Sequence, residues 1–359
     1  MTVAHATVAR YFRVDASILK LSFLLLPGLV FAGGLLAGGC AGTVVAKPPV
    51  QAEAPADPAY VEFARELAAN DGLVESDVLA TLAKAKVQQS ILEAIARPAE
   101  AKPWKDYRPI FLTDKRRDDG VAFYRANREL IERAADEFGV APEIVVAIIG
   151  VETSYGRNVG KYRVLDALVT LAFHYPPRAK FFRGELRQLF LLGDAHLAYP
   201  LDELVGSYAG AMGWGQFIPT SVANWARDYD GDGRIDLWNS VPDVVGSVAN
   251  YFTAHGWEKG KPIATRTQPT ADARDIAPGS LEPVYPLEQM QAWGYAPAEA
   301  VDATLPSTLL KLEGSAGSEN WLTFRNFYVI TRYNRSPLYA MAVFQLSQEI
   351  AAAVAGDPR

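Results

Sequence analysis

The sequence predicts an α+β protein that is predominantly α-helical and carries a small β-rich lobe. Three observations indicate this class. Apolar residues such as Tyr60, Phe63 and Leu67 recur at helical spacing. Residues 142–158 begin with a helix that is apolar on every side and should therefore be buried. Residues 258–318 are rich in Thr, Pro, Asp and Gly, and short runs such as PIATRT and PVYPL are typical of small strands.

Length and composition exclude several classes of protein. The 359 residues are half hydrophobic, so the chain is neither disordered nor fibrous and can bury one large or two modest cores. The formal charge of −6 argues against a nucleic-acid partner. Because Cys40 is the only cysteine, no disulfide can form within the chain, and the fold must rely on core packing.

The first forty residues indicate export. Basic residues precede an apolar run, LSFLLLPGLVFAGGLLAGG, which contains Pro27 and ends in small residues at Cys40. This pattern predicts a cleavable signal at residues 1–39, with an uncleaved membrane anchor as the alternative. Removal of residues 1–39, which hold three basic residues and one acidic residue, would change the formal charge from −6 to −8.

The residues around the cysteine resemble the lipobox of bacterial lipoproteins. The motif is AGGC, with Ala37 where that pattern prefers Leu. The resemblance implies that Cys40 is lipidated, and Ala41 after it implies sorting to the outer membrane of a Gram-negative cell, facing the periplasm. The Ala- and Pro-rich stretch that follows is typical of a flexible tether.

The remaining chain is predicted to divide by composition. The predicted regions are a tether at 40–58, an N-terminal helical region at 59–118, a core at 119–257, the β-rich lobe at 258–318 and a C-terminal segment at 319–359 that returns to the core. Asp71-Gly72 marks a turn between two short helices. The two prolines between Lys102 and Thr113 predict an extended crossing segment, and Asp119 to Phe138 predicts one amphipathic helix.

Glu152 is the candidate catalytic residue. Pro142 fits the first turn of the apolar helix, and Gly156 is a plausible stop after its last turn. Glu152 would then lie in a buried last turn beside the negative end of the helix dipole, and both effects raise the pKa of a carboxyl group. A Glu that stays protonated near neutral pH can act as a general acid. The alternative is a helix-ending Glu that pairs with Arg157 or Arg163.

Two later segments have the composition of ligand-contacting loops. Residues 206–221, GSYAGAMGWGQFIPTS, combine four glycines with three aromatic residues, which suits a backbone that approaches a ligand closely. The alternative for this segment is a helix-packing corner. Asn334 stands in a short break between two hydrophobic segments, at a loop position that can face a cleft.

An acidic loop follows the glycine-rich segment. Positions one, three, five, six and seven of a Ca²⁺-binding loop are matched by Asp228, Asp230, Asp232, Gly233 and the Arg234 carbonyl. Asn239 stands at position twelve and cannot supply the usual bidentate carboxylate. Asp243, four residues further on, could supply it from a longer loop. An acidic solvated turn is the alternative.

Four motifs in order resemble the membrane-bound lytic murein transglycosylase B family: GVETSYGRNVGKYRVLDALVTLAF, GSYAGAMGWGQFIPTS, GSVANYFTAHGW and ITRYNRSPLYAMAV. The resemblance implies a goose-type-lysozyme-like core that cleaves the β-1,4 bond between N-acetylmuramic acid and N-acetylglucosamine without water. It implies Glu152 as the sole acid and base. The residues implied to bind substrate are Ser207, Gln216, Tyr251, Tyr333, Asn334, Tyr339, Tyr107 and, near the peptide stem, Arg178.

The resemblance also places an EF-hand-like, structural Ca²⁺ at residues 228–243. The implied partners are peptidoglycan glycan strands and, through lipidated Cys40, a membrane. The chain would be a monomer, with cell-wall synthases as candidate partners. A single acid agrees with the residues, since the motifs beside Glu152 offer no second carboxylate of the kind that ordinary glycosidases need; Asp166 more simply pairs with Arg163. Two alternatives remain: a hydrolytic lysozyme, and a calcium-stabilised glycan-binding lipoprotein without turnover.

Overall fold

Helices dominate the structure. This computed structural model describes residues 57–97 and 102–356. The helices are α1 (Pro58–Asp71), α2 (Glu75–Ala83), α3 (Gln89–Ala96), α4 (Trp104–Phe111), α5 (Asp114–Ala126), α6 (Arg128–Phe138), α7 (Pro142–Thr153), α8 (Val164–His174), α9 (Ala179–His196), α10 (Pro219–Trp225), α11 (Val241–Ala254), α12 (Leu287–Ala292), α13 (Arg325–Tyr333) and α14 (Pro337–Gly356). The strands are β1 (Tyr162–Arg163), β2 (Val205–Gly206), β3 (Ala264–Pro269), β4 (Tyr285–Pro286), β5 (Tyr295–Pro297), β6 (Pro306–Gly314) and β7 (Gly317–Thr323).

The predicted apolar helix, α7, lies in the largest hydrophobic cluster. Every residue from Ile144 to Ile149 is fully buried. Pro142 occupies the first turn, where its missing N–H costs no hydrogen bond. α7 packs against α14 and is flanked by α5, α6 and α11. α14 is long and apolar enough to cross a membrane, but half of its apolar stretch is buried in the protein, so here it is a core helix.

The N-terminal helices α1, α2 and α3 contribute to a second hydrophobic cluster. α3 packs on α8, and a buried Asp166 on α8 accepts a hydrogen bond from the Lys86 amide at 2.9 Å. Arg187 on α9 pairs with Asp71, the last residue of α1. Gly72 follows in the left-handed region, which confirms the predicted turn between α1 and α2.

The β-rich lobe is one antiparallel sheet with the strand order β4-β6-β7-β3-β5. Its own hydrophobic cluster includes Leu287 and Met290 from α12 and Leu322 from β7. The sheet continues to Thr323, past the predicted limit at residue 318, and leads directly into α13. At its C-terminal end the lobe is therefore joined to the core without a linker.

Two predicted elements are wrong. The segment expected to be extended contains α4, because Trp104, Tyr107 and Phe111 are buried together on one helical face. Pro109 lies inside this helix, and because proline is unfavourable there, the sequence predicted an extended segment instead. The single helix expected from Asp119 to Phe138 is two helices, α5 and α6, broken at Asn127.

The predicted signal at residues 1–39, Cys40 and almost all of the tether lie outside the described residues. Their assignments stay predictions.

Candidate active site

Glu152 lies in the last turn of α7, as predicted. Three successive residues after this turn, Ser154, Tyr155 and Gly156, have positive φ values of 51°, 62° and 80°. A Cβ placed on Gly156 would lie 2.2 Å from the Trp214 ring, so this position requires glycine for both its conformation and its space. The helix therefore ends in a tightly packed left-handed turn directly after the candidate acid.

The Glu152 side chain is part-buried, and its Oε1 accepts a hydrogen bond from the Tyr339 hydroxyl at 2.5 Å. Burial raises the pKa of Glu152 to about 7, and the hydrogen bond from Tyr339 opposes part of this rise. Among the described residues, no second carboxylate contributes to this pKa shift. The raised pKa brings the titration of Glu152 close to neutral pH.

The ion-pair alternative for Glu152 fails because both candidate arginines pair elsewhere. Arg157 pairs with Asp119. Arg163 pairs with Asp166 at 2.5 Å, as predicted for that aspartate. Glu152 is therefore not a salt-bridged helix end.

The glycine-rich segment forms tight turns beside Glu152. The Ser207 hydroxyl accepts hydrogen bonds from the amides of Ala209 and Ala211 at 3.3 and 3.1 Å. Gln216 has a φ of 51°, and its Nε2 donates to the carbonyls of Gly213 and Val159 at 2.9 and 3.2 Å.

Thr153 ties this segment to the catalytic helix. Its hydroxyl donates to the Trp214 carbonyl at 3.0 Å and accepts from the Gly156 amide at 3.0 Å. The residue next to Glu152 is thereby held against the loop that contains Gln216.

Tyr333 and Tyr251 bring α13 and α11 to the same region. The Tyr333 hydroxyl donates to the Gly215 carbonyl at 2.6 Å, and the Tyr251 hydroxyl donates to the Arg332 carbonyl at 2.7 Å. Their ring centroids are 4.7 Å apart. Burial, and next the nearby charge of Glu152, raises the pKa of Tyr333. Asn334 follows α13, and its Oδ1 accepts from the Ser336 amide at 3.1 Å.

Tyr107 and Arg178 have different environments. Tyr107 is buried on α4, and its pKa is raised by burial and by the charge of Glu152, which places it near the carboxyl group. Arg178 instead lies over the rings of Phe181 and Phe182, at 4.4 and 5.0 Å from their centroids. Among the described interactions, none joins Arg178 to Glu152.

Sequence reasoning missed a buried carboxylate near Arg178. Both oxygens of Glu185 accept hydrogen bonds from Thr220, from its amide and its hydroxyl, at 2.9 Å. Burial raises the pKa of Glu185, and these bonds oppose the rise. Glu185 thus anchors the start of α10, which follows the loop of Gln216. Its position on the amphipathic helix α9 gave no signal of this contact.

The acidic loop gathers three carboxylates. Oxygens of Asp228, Asp230 and Asp232 lie within 4.8 Å of one another. The Arg234 guanidinium is directed elsewhere and donates to the Leu197 carbonyl at 3.2 Å. A cluster of oxygen donors without a basic side chain fits a hard divalent cation.

Asp243 lies at the start of α11 and contacts this loop. Its Oδ1 accepts from the Tyr229 and Asp230 amides at 2.8 and 3.4 Å, and its Oδ2 accepts from the Asp236 amide at 2.8 Å. Asp243 therefore braces the loop from the start of α11. Both oxygens of Asp228 accept loop amides in the same way, so the role of Asp243 as a ligand stays a prediction.

Comparison with known proteins decides the family. The family model described as "Transglycosylase SLT domain" matches residues 56–348. The chain belongs to the transglycosylase SLT family. Membrane-bound lytic murein transglycosylase B of Escherichia coli K12 is 40% identical over 307 residues, which are 83% of this chain and 84% of that protein.

Solved structures of lytic transglycosylases share the fold of this SLT-family chain. The catenated lytic transglycosylase SltB1 of Pseudomonas aeruginosa is 45% identical, has a TM-score of 0.79, and covers 83% of this chain and 98% of its own. Slt35 of Escherichia coli in complex with calcium is 40% identical, has a TM-score of 0.75, and covers 82% and 93%. The comparisons confirm the family resemblance, the α+β lysozyme-like fold class and the assignment to an enzyme family.

Proposed function

We propose that the chain is a peptidoglycan lytic transglycosylase that cleaves the β-1,4 bond between N-acetylmuramic acid and N-acetylglucosamine and leaves 1,6-anhydromuramic acid ends. The observation that carries this proposal is the isolated acid at the end of α7. Glu152 has a pKa raised to about 7 and a tyrosine as hydrogen-bond partner, and no carboxylate in the described part of the chain shifts its pKa. The family relationship gives independent support.

One carboxyl group suffices when the substrate supplies the nucleophile. Glu152 donates its proton to the glycosidic oxygen as the bond to the muramic acid C1 breaks, and the 2-acetamido group helps to stabilise the positive sugar. The Glu152 carboxylate then takes the proton from the muramic acid 6-hydroxyl as that oxygen bonds to C1. Glu152 ends protonated, and no water is consumed. The attack is intramolecular, which contributes several kcal/mol, up to about 7–11 in favourable cases.

The surrounding residues have distinct proposed roles. Tyr339 orients the Glu152 carboxyl group through its hydrogen bond. The remaining proposed cleft residues are Tyr107, Ser207, Gln216, Tyr251, Tyr333 and Asn334. For Ser207, Tyr251 and Tyr333, bonds to the backbone fix the side chains in place before substrate binds. Arg178 is proposed to attract the carboxylates of the peptide stem.

The hydrolytic alternative is less well supported. Retaining and inverting hydrolases use two carboxylates across the scissile bond, one of which activates water or attacks the sugar. No second acid shifts the pKa of Glu152 among the described residues. A purely glycan-binding protein is less well supported still, because a binder has no use for a carboxyl group held at a pKa near 7.

The experiment compares Glu152→Gln with the wild type on purified sacculi. The amide has nearly the same size but cannot transfer the catalytic proton, so we expect turnover to fall at least about a thousandfold while sacculus binding is retained. Glu143→Gln in the first turn of the same helix is the matched control and should keep activity. Turnover by Glu152→Gln near the wild-type rate would refute the assignment of Glu152.

The acidic loop is proposed to bind a structural Ca²⁺. Asp228, Asp230, Asp232 and Asp243 would supply carboxylate oxygens and Arg234 its carbonyl. When bound, Ca²⁺ would neutralise three clustered negative charges and join the loop to the core. The calcium complex of Slt35 supports this proposal.

The chain is further proposed to be a lipoprotein on the periplasmic side of the outer membrane of a Gram-negative cell. Cys40 would carry the lipid. A tether of about eighteen residues then reaches a few tens of ångströms, enough to contact the adjacent peptidoglycan layer. Tethering raises the local substrate concentration and confines cleavage to nearby strands. The name of the E. coli relative, membrane-bound, supports a membrane location.

A further inference from the structure

We infer that Arg116 is a positioning residue for Glu152: it fixes the left-handed turn that ends α7, and with it the orientation of the carboxyl group. The inference rests on the proposed role of Glu152. Arg116 lies in the first turns of α5 and makes its hydrogen bonds to neighbours of Glu152, not to Glu152 itself.

Three hydrogen bonds connect Arg116 to the elements around the site. Its Nη1 donates to the Ile110 carbonyl at 2.9 Å, and its Nη2 donates to the Ser154 hydroxyl at 3.1 Å. Its backbone carbonyl accepts from the Tyr155 hydroxyl at 2.9 Å. One residue therefore joins the end of α4, the start of α5 and the two residues that follow the last turn of α7.

The turn after Glu152 needs such support because of its backbone conformation. Ser154 and Tyr155 have φ values of 51° and 62°, in a region that residues with a Cβ rarely adopt. Backbone strain of this kind persists only where surrounding contacts enforce it. Arg116 bonds both side chains of the strained pair, so it is placed to hold the conformation that sets the direction of α7's last turn.

Packing of the Tyr155 ring makes this connection rigid. The Tyr155 hydroxyl passes between Gly120 on α5 and Gly150 on α7; a Cβ at either glycine would lie 2.4 or 2.5 Å from it. Tyr155 is buried, and burial raises its pKa. The hydroxyl can therefore reach the Arg116 carbonyl because Gly120 and Gly150 have no side chains in its path.

The guanidinium has no carboxylate partner among the described residues. Arg116 donates to neutral oxygens and lies 5.2 Å from the centroid of the Phe111 ring. Burial lowers the pKa of Arg116. The adjacent Arg117, by contrast, pairs with Asp114 and Asp118 at the surface. Arg116 is half-buried and binds only neutral acceptors, so it adds no salt bridge among the described residues. Its planar fork of donors can fix the spacing of the groups that it joins.

Arg116 also connects the catalytic turn to the helix that carries Tyr107. α4 carries Tyr107 three residues before Ile110, and Tyr107 lies close enough to Glu152 for the charge of the carboxylate to raise its pKa. By bonding Ile110 and Ser154 with two nitrogens of one plane, Arg116 sets the distance between the α4 side of the cleft and the catalytic turn.

Arg116→Met tests the inference because it keeps the aliphatic stem and removes both donors. We expect kcat to fall roughly tenfold to a hundredfold, since a small misplacement of a catalytic group has effects of this size. KM for soluble peptidoglycan oligomers should change less than about twofold, because no cleft side chain is altered. Arg116→Lys should not restore kcat, since one ammonium cannot reproduce the fork. Arg117→Met, the matched control, should leave both constants unchanged.

Ser154→Ala removes the bond to the Arg116 guanidinium and leaves Arg116 in place, so it tests the inference even if Arg116→Met fails to fold. Tyr155→Phe removes the bond to the backbone carbonyl of Arg116 and tests whether the turn itself positions Glu152. Each should lower kcat with little change in KM. Arg116→Met combined with Ser154→Ala should be no slower than Arg116→Met alone, because both remove the same link. Unchanged kcat in the folded single variants, or additive losses in the double variant, would overturn the inference. Glu152→Gln is assayed in parallel. An active Glu152→Gln would mean that the proposed function is wrong, whereas an inactive Glu152→Gln beside unaffected Arg116 and Ser154 variants would mean that only this inference is wrong.

Discussion

The Tyr339 hydroxyl lies 2.5 Å from Oε1 of Glu152, although the two residues are 187 positions apart in the chain. The contact exists because α14 packs along α7 in the core. It opposes the effect of burial: a donor on the carboxylate favours the charged form, whereas the apolar surroundings favour the neutral form. A group balanced near pH 7 can serve first as acid and then as base.

Loss of the Tyr339 hydroxyl should change both the rate and its pH dependence. In Tyr339→Phe the carboxylate loses its donor, so the pKa of Glu152 should rise and the alkaline limb of activity should move to higher pH. We expect kcat to fall about tenfold, since a hydrogen bond to a charged group is lost. Tyr295→Phe, which removes a hydroxyl that bonds the Arg274 carbonyl in the β-rich lobe, is the control. An unchanged profile in Tyr339→Phe would contradict this account.

The pH dependence of the wild type follows from the raised pKa. Glu152 must be protonated to act as the acid, and its pKa is about 7 instead of 4.5. kcat/KM on soluble peptidoglycan oligomers should therefore be high below pH 7 and fall about tenfold per pH unit above it. A decline already centred near pH 4.5 would show that Glu152 is an ordinary solvated carboxylate.

Gly156→Ala should destabilise the protein through two separable effects. Positive φ alone costs a residue with a Cβ about 1–2 kcal/mol, and the contact with Trp214 should add about 1–3 kcal/mol of overpacking. Gly72 has a similar φ of 74° but open space around it, so Gly72→Ala isolates the first effect. Urea unfolding of both variants gives the difference. Equal losses of free energy of unfolding would mean that the Trp214 ring moves away without cost.

Calcium should stabilise the fold without entering the chemistry. Added Ca²⁺ should raise the Tm, and a chelator should lower it, by an amount that depends on free Ca²⁺. Asp228→Asn should abolish this response, whereas Asp136→Asn, a surface change on α6, should keep it. A Tm that is indifferent to chelator in the wild type would show that the loop is only an acidic turn.

Cys40→Ala should release a soluble form that remains active on isolated sacculi, because no cleft residue is changed. The measurement is the partition of the protein between membrane and soluble fractions after a high-salt wash. Retention of Cys40→Ala in the membrane fraction would mean that the apolar run before the cysteine is an uncleaved anchor and that the lipoprotein proposal is wrong.

The sequence predicted those features that depend on local pattern. The buried helix around Glu152 was readable because it is apolar on all sides, and the turn at Gly72 because glycine there ends one helix before the next. α4 was not predicted because two prolines, Pro103 and Pro109, are typical of an extended segment, although the aromatic residues between and after them have helical spacing. Pro103 precedes the first turn of α4, where proline costs no hydrogen bond, and burial of the aromatic face outweighs the cost of Pro109 inside the helix.

The partners of the candidate acid could not be derived from residue patterns alone. Tyr339 was expected near the cleft from the family resemblance, but its bond to Glu152 depends on how α14 crosses α7. Arg116 and Ser154 are 38 positions apart, and nothing in the pattern of α5 distinguishes Arg116 from Arg117. Asp243 was predicted to be a ligand from its carboxylate, but its hydrogen bonds to the loop amides of Tyr229 and Asp236 depend on how the loop folds back on α11.

The most direct test of the central claim is the fate of water in the reaction. Purified sacculi digested by the wild type in water labelled with oxygen-18 should yield muropeptides with 1,6-anhydromuramic acid ends that carry no label, because the 6-hydroxyl of the substrate replaces water at C1. Mass spectrometry reads the ends and the label together, and Glu152→Gln should yield neither product. Labelled reducing ends as the main product would contradict a transglycosylase in which Glu152 acts alone.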